Sequence, residues 1–237
     1  MFRKKMQKWR HVFKLDPNRK LSDLALKMVC TSGTDAVIIG GTDGITFENT
    51  FALLQRVKQY PIHCVQEISN HSAVMPGFDG YLIPSVLNTE QAYWIKGAHF
   101  EAIQKYGHLI PWQQIALQGY VILNPDAKVS RLTKCDTQLT PQDITAYAQL
   151  CDQLFRIPIF YLEYSGTYGK VEMLKAARKG LKQSRLFYGG GITTEEQAKD
   201  MAAWADTIVV GNLIYYHVER AMNTVKWVKE TPLRKGE

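Results

Sequence analysis

The chain has 237 residues, 46% of them apolar and 22% charged, with a formal net charge of +7. This composition excludes a disordered chain, and no stretch approaches the ~20 apolar residues of a membrane span. Lys and Arg are dense only in residues 2–20 and near the C-terminus; no recognition-helix, zinc-finger or RNA-binding sheet signature accompanies them, so an anionic small substrate is favoured over nucleic acid.

A (β/α)8 barrel needs roughly 250 residues, so a single TIM-barrel domain over residues 1–237 fits the length. The basic N-terminus leads into no apolar h-region and is not a secretory signal. Cys30, Cys64, Cys135 and Cys151 lie far apart with no C-x-x-C pair. That spacing argues against a disulfide scaffold or zinc site and for a reducing, cytoplasmic setting.

Short β-rich runs alternate with helix-length segments, the pattern of a parallel sheet. The expected strands are His11–Leu15, Ala36–Gly40, Ile62–Gln66, Tyr81–Pro84, Gln118–Leu123, Ile159–Glu163, Leu186–Tyr188 and Thr207–Val210. Between them, Ser22-Asp23, Thr46, Thr89-Glu90, Thr140-Pro141 (ahead of Gln142–Phe155) and Thr194 open helical segments as caps. Residues 66–79 break the rhythm: Asn70, Pro76 and Gly77 interrupt them and no helical period is present. A loop is expected where an ordinary barrel has the helix between its third and fourth strands, leaving a groove in the outer ring.

In such a barrel the functional side chains stand at the C-terminal strand ends. Lys14 and Asp16 are two apart, so on a strand both point to one side. The lysine suits a phosphate. The aspartate offers a hard oxygen to Mg²⁺, and Thr42 at the next strand end adds a hydroxyl. Glu163 lies among aromatic residues; a carboxylate there is costly to bury unless employed, which makes it the candidate base, with Tyr161 and Tyr168 orienting a substrate. Gly189–Gly191 brings backbone N–H groups up to an anion with no side chain between, and Gly211-Asn212 opens a helix toward the same place. The six histidines form no metal-ligand spacing.

Taken in order, F-K-L-D-P at 13–17, G-G-T-D-G at 40–44, Y-L-E-Y-S-G at 161–166, Y-G-G-G-I at 188–192 and V-V-G-N at 209–212 resemble the PcrB/geranylgeranylglyceryl phosphate synthase family over nearly the whole chain. The resemblance implies a homodimeric prenyltransferase joining sn-glycerol 1-phosphate to a polyprenyl diphosphate through an ether bond. It places Lys14, Tyr161, Leu162, Glu163, Tyr164, Ser165, Gly166, Gly191, Gly211 and Asn212 on glycerol 1-phosphate, and Asp16 and Thr42 on Mg²⁺. Archaeal members use a C20 chain; the bacterial branch, which this sequence resembles more, uses a C35 heptaprenyl chain. So long a chain needs an apolar groove beside the missing helix, where small Ala102 leaves room and Tyr106, one turn on, closes the far end.

Two other readings stay open at this point. A sugar-phosphate isomerase or synthase needs an acid/base pair at strands one and five, where Asn124-Pro125-Asp126 is an ambiguous partner. A non-catalytic polyprenyl-phosphate binding protein, in transient contact with a membrane surface, suits the basic N-terminus and the groove.

Overall fold

The computed structural model describes residues 2–234. Eight strands form a closed barrel in sequence order: β1 His11–Leu15, β2 Ala36–Ile39, β3 Cys64–Glu67, β4 Gly80–Val86, β5 Ile115–Ile122, β6 Ile159–Glu163, β7 Arg185–Gly189 and β8 Thr207–Val210. All neighbours are parallel, and β1 closes the ring by pairing with both β2 and β8. Burial on both faces explains why β2 is simply Ala-Val-Ile-Ile, all four residues buried.

The helices are α1 Phe2–Met6, α2 Asp23–Thr31, α3 Phe47–Val57, α4 Ala98–Tyr106, α5 Lys128–Thr133, α6 Pro141–Gln149, α7 Val171–Gly180, α8 Glu195–Ala202, α9 Leu213–Tyr216 and α10 Val218–Lys229. Their starts follow cap chemistry. Ser22 accepts from the Ala25 amide, and Thr46, Thr140 and Thr194 each complete a capping box. Such a cap stabilises a helix by about 1 kcal/mol.

Several ends differ from the sequence reading; β5, for instance, starts at Ile115 instead of Gln118. The run expected from Gln142 to Phe155 leaves α geometry at Leu150 and finishes as a π turn, Leu150–Leu154. The third strand starts at Cys64 instead of Ile62, because the Ile62 amide closes a tight turn onto the Tyr60 carbonyl.

One core lies between strands and helices and a second fills the barrel. Val12, Ile38, Val65, Leu82, Tyr120, Tyr161, Phe187 and Val209 pack the interior. Phe2, Met6 and Trp9 plug its bottom. The Phe2 ring needs Gly80, since a Cβ there would come within 2.5 Å of it. At the same end Arg10 donates to the carbonyls of Ala202, Ala205, Asp206 and Thr231, lashing the first strand to the last helices.

The helix between β3 and β4 is absent, as expected. A single 3-10 turn, His71–Ala73, stands there. The loop is nevertheless fastened: Gln66 Nε2 donates to the Ala73 carbonyl at 2.7 Å, Tyr81 OH to Met75 at 2.9 Å, and Met75 and Phe78 are buried. Beyond β4, a π turn, Tyr93–Gly97, leads into α4, and neither buries a residue. This arm is tied to β4 by Ser85 Oγ on the Ile95 carbonyl (3.0 Å) and His99 Nε2 on the Pro84 carbonyl (2.9 Å).

Candidate functional site

Five side chains from four strands converge inside the upper mouth of the barrel. Lys14 (β1) pairs with Glu67 (β3), whose other carboxylate oxygen accepts Tyr120 OH (β5) at 2.6 Å. Tyr120 stacks on Tyr161 (β6), ring centroids 4.3 Å apart. The Tyr161 hydroxyl is buried and has no hydrogen-bond partner among the described residues. Two residues on, Glu163 is 8% exposed and accepts the Ser165 amide.

Charge in this mouth is unbalanced, with one lysine beside two carboxylates. Burial pushes the Glu163 pKa up and Glu67 adds to the rise, against the opposing pull of Lys14 and the Ser165 amide. Burial opposes the Lys14 charge, yet Glu67, Glu163 and Asp16 together hold its pKa above the usual value. Burial first, then the neighbouring carboxylates, raise Tyr120 and Tyr161 well above the ordinary phenol range, so both stay protonated. A protonated phenol without a partner is a hydrogen-bond donor for whatever enters.

After Glu163 the chain turns back sharply, with Ser165 at φ 43° and Gly166 at φ 85°. A left-handed serine costs about 1–2 kcal/mol, and its amide is what reaches Glu163. This loop lies directly under the glycines. A Cβ on Gly190 would come within 2.8 Å of the Thr167 carbonyl, and one on Gly191 within 2.6 Å of the Gly166 carbonyl and the Tyr168 amide. The glycine run therefore serves loop-to-loop contact, beyond the anion approach that sequence suggests. Gly211 differs: a Cβ there would meet Lys14 only at 3.4 Å or more. The N–H groups of Gly191, Gly211 and Asn212 reach no acceptor among the described residues.

The structure corrects several sequence expectations. Asp16 lies beyond the end of β1, so it does not share a strand face with Lys14. Lys14 points inward to Glu67, whereas Asp16 lies against the second strand end: a Cβ on Gly41 would come within 3.0 Å of its carboxylate. One Asp16 oxygen accepts the Asn18 amide at 2.8 Å. Leu162 packs in the outer core, so only its backbone faces the mouth, and Tyr164 is buried with its ring beside Tyr188. The helix after Gly211-Asn212 is one turn long, too short for its dipole to contribute much. Asn124 is structural, donating to the Tyr164 carbonyl and to Thr167 Oγ1.

Sequence reading missed Glu67, and also Arg19. The Arg19 guanidinium donates to Asn212 Oδ1 at 2.9 Å and lies 3.8 Å above the Tyr215 ring, whose hydroxyl accepts the Asp16 amide. Neither residue carries a local motif that would have marked it.

The sequence profile of the PcrB family matches residues 4–229. The chain belongs to the PcrB family. Among PcrB relatives, the heptaprenylglyceryl phosphate synthase of Bacillus mycoides (strain KBAB4) is 53% identical over 224 residues, 94% of this chain and 98% of that one. Among solved structures, the (S)-3-O-geranylgeranylglyceryl phosphate synthase of Thermoplasma acidophilum in complex with substrate sn-glycerol-1-phosphate has a TM-score of 0.79 at 22% identity, covering 95% of this chain and 96% of that one. Wild-type GGGPS from Thermoplasma volcanium has a TM-score of 0.82 at 20% identity, covering 99% of each chain. At such identities the likeness to the two archaeal structures carries the barrel fold that the PcrB chain shares with them.

Proposed function

We propose that this protein joins sn-glycerol 1-phosphate to a heptaprenyl (C35) diphosphate, forming an ether and releasing diphosphate. The observation that carries the chemistry is Glu163, a buried carboxylate of raised basicity directly beside the loop that meets the glycines. The heptaprenyl substrate is supported by the 53% identical Bacillus relative.

The glycerol oxygen attacks the first carbon of the prenyl chain, the carbon–oxygen bond to diphosphate breaks, and Glu163 takes the hydroxyl proton. The amides of Gly191, Gly211 and Asn212 receive the phosphate, Lys14 supplies positive charge at its edge, and Tyr161 OH donates to the acceptor. The backbone of residues 161–166 shapes the wall of this pocket. The donor set suits Mg²⁺: one carboxylate oxygen of Asp16 accepts no hydrogen bond among the described residues, Thr42 is exposed just beyond the neighbouring strand, and Mg²⁺ is commonly held by one or two carboxylates plus substrate phosphates. When bound, the ion would neutralise the departing diphosphate.

The prenyl chain would leave the mouth through the break in the helical ring outside β3 and β4 and run along α4. Ala102 and Tyr106 are half-buried there, and Phe47 and Phe51, stacked at 6.2 Å, stand exposed on α3. We further place the protein in the cytoplasm as a homodimer. The free thiols are consistent with that compartment, and exposed Leu154 and Phe155 offer apolar surface to a second copy.

The test is incubation with Mg²⁺, glycerol 1-phosphate and prenyl diphosphates of graded length, reading diphosphate release. Release should be fastest with C35, and Glu163→Gln should lower the single-turnover rate by about 10²–10⁴-fold, the contribution of a positioned base. No release with any chain length would overturn the transferase, and full activity in Glu163→Gln would overturn the base.

A further inference from the structure

Glu67 has no part in the proposed transfer, yet both of its carboxylate oxygens are held by side chains of the mouth. It is the last residue of β3, 6% exposed, with one oxygen on the Lys14 ammonium and the other holding the Tyr120 hydroxyl. Its backbone is equally fixed: a Cβ on Gly40 would come within 2.9 Å of the Glu67 carbonyl. Lys14 thus has three carboxylates within reach of its field, Glu67, Glu163 and Asp16, and among the described residues forms its ion pair with Glu67. Glu163 forms no ion pair among the described residues and is held by Ser165, through its amide and its side chain.

We infer that Glu67 is a positioning residue: by holding the Lys14 ammonium to the β3 side of the mouth, it keeps Glu163 unpaired and open to the acceptor hydroxyl. Without Glu67, the half-buried Lys14 ammonium has Glu163 as its partner inside the mouth, and a collapsed Lys14–Glu163 pair spends the lone pairs the reaction needs. This inference rests on Glu163 being the base of the proposed transfer.

The groups facing Glu163 are Lys14 from β1, Glu67 from β3, Tyr120 from β5, Tyr161 on its own strand and Tyr188 from β7. The tyrosines stay neutral, so Lys14 and Glu67 set its titration. Replacing Glu67 by Gln removes a negative neighbour and frees a positive one. Both changes favour the ionised Glu163 and move its titration down in pH.

The experiment is the pH dependence of the single-turnover rate at saturating substrates. Glu67→Gln should lower the plateau about 10–100-fold and shift the acid limb down by about one pH unit or more. Glu67→Asp, which keeps the charge, should restore the limb, and Tyr120→Phe, which disturbs the same pocket but keeps the ion pair, should leave it in place. A Glu67→Gln limb that superimposes on the parent overturns the inference, as does an equal shift in Tyr120→Phe. If Glu67→Gln does not fold, Lys14→Gln carries the test: its limb must rise, and one that stays in place overturns the inference. Glu163→Gln separates the two levels. An inactive Glu163→Gln with an unmoved Glu67→Gln limb removes only the role of Glu67, whereas an active Glu163→Gln removes the base itself.

Discussion

Adding one methyl group at Gly191 tests whether the glycine run is there for packing, for the phosphate, or for both. The new Cβ would stand 2.6 Å from the Gly166 carbonyl and the Tyr168 amide, where ordinary contacts begin at 3.4 Å, so residues 166–168 must withdraw by about 0.8 Å. Both obstacles are backbone, so no rotamer change relieves them. Overpacking of this kind costs about 1–3 kcal/mol, which in a chain this long lowers the melting temperature by about 3–10 °C. The withdrawn loop carries Ser165 and Gly166, so glycerol 1-phosphate binding should weaken about tenfold or more, equivalent to about 1.4 kcal/mol. Gly211→Ala is the matched comparison. Its Cβ meets only Lys14, at 3.4 and 3.9 Å, so melting should stay within about 0.5 kcal/mol of the parent. The methyl nevertheless occupies the space proposed for the anion, and binding should fall just as far. Thermal melts and calorimetric titration with glycerol 1-phosphate alone read both effects. Parental affinity in Gly211→Ala would refute the phosphate position, and parental melting in Gly191→Ala would refute the role of loop contact.

Other consequences follow from the groove, the acid at the first strand end and the buried imidazole. Ala102→Trp should cut turnover of the C35 diphosphate about tenfold or more while C20 turnover stays within about threefold, a contrast of the size a filled apolar site gives; equal turnover of both chains would sink the groove assignment. Asp16→Asn should raise the Mg²⁺ concentration for half-maximal rate and leave metal-free glycerol 1-phosphate binding unchanged, both read by titration. His11 is buried between Thr34 and Thr224, its ring nitrogens 2.9 Å from each hydroxyl, and burial depresses its pKa to about 3. The native ring stays neutral while the unfolded one gains a proton below about 6.5, so its contribution is complete above that value and is lost as pH falls toward 3. The loss reaches about 2 kcal/mol by pH 5. Urea unfolding at pH 8 and 5 should show this difference, and His11→Gln should lack it.

The fold was legible because burial on both faces leaves a strong trace. β1, β6 and β8 match their expected limits, since each ends where a charged residue, a proline-bearing turn or a glycine follows the apolar run. α1 was not legible: five residues with three consecutive basic side chains show no period, and only the hole at the bottom of the barrel gives Phe2 and Met6 a purpose. The site divides along the same line. Lys14, Glu163 and the glycines sit in local patterns with a chemical meaning of their own. Glu67 does not, because its role is created by a lysine fifty-three positions earlier and a tyrosine fifty-three later. The glycines stand out in the sequence, yet part of their necessity lies in a loop that turns through Ser165 and Gly166, which no count of glycines reveals.

The lashing of Arg10 to the last helices bears on how the chain is made. The first strand pairs with β8, and its flanking arginine bonds to carbonyls at positions 202 to 231. During synthesis these partners leave the ribosome only after the first seven strands, at about 5–20 residues per second. For roughly ten seconds or more, then, the N-terminal half waits as an open parallel sheet with an unpaired edge and no stopper seated beneath it. Contacts of such sequence separation fold slowly. The stage of greatest exposure to aggregation therefore precedes the emergence of β8, and a chain cut short before β8 should be found with chaperones or in the insoluble fraction instead of as a smaller barrel.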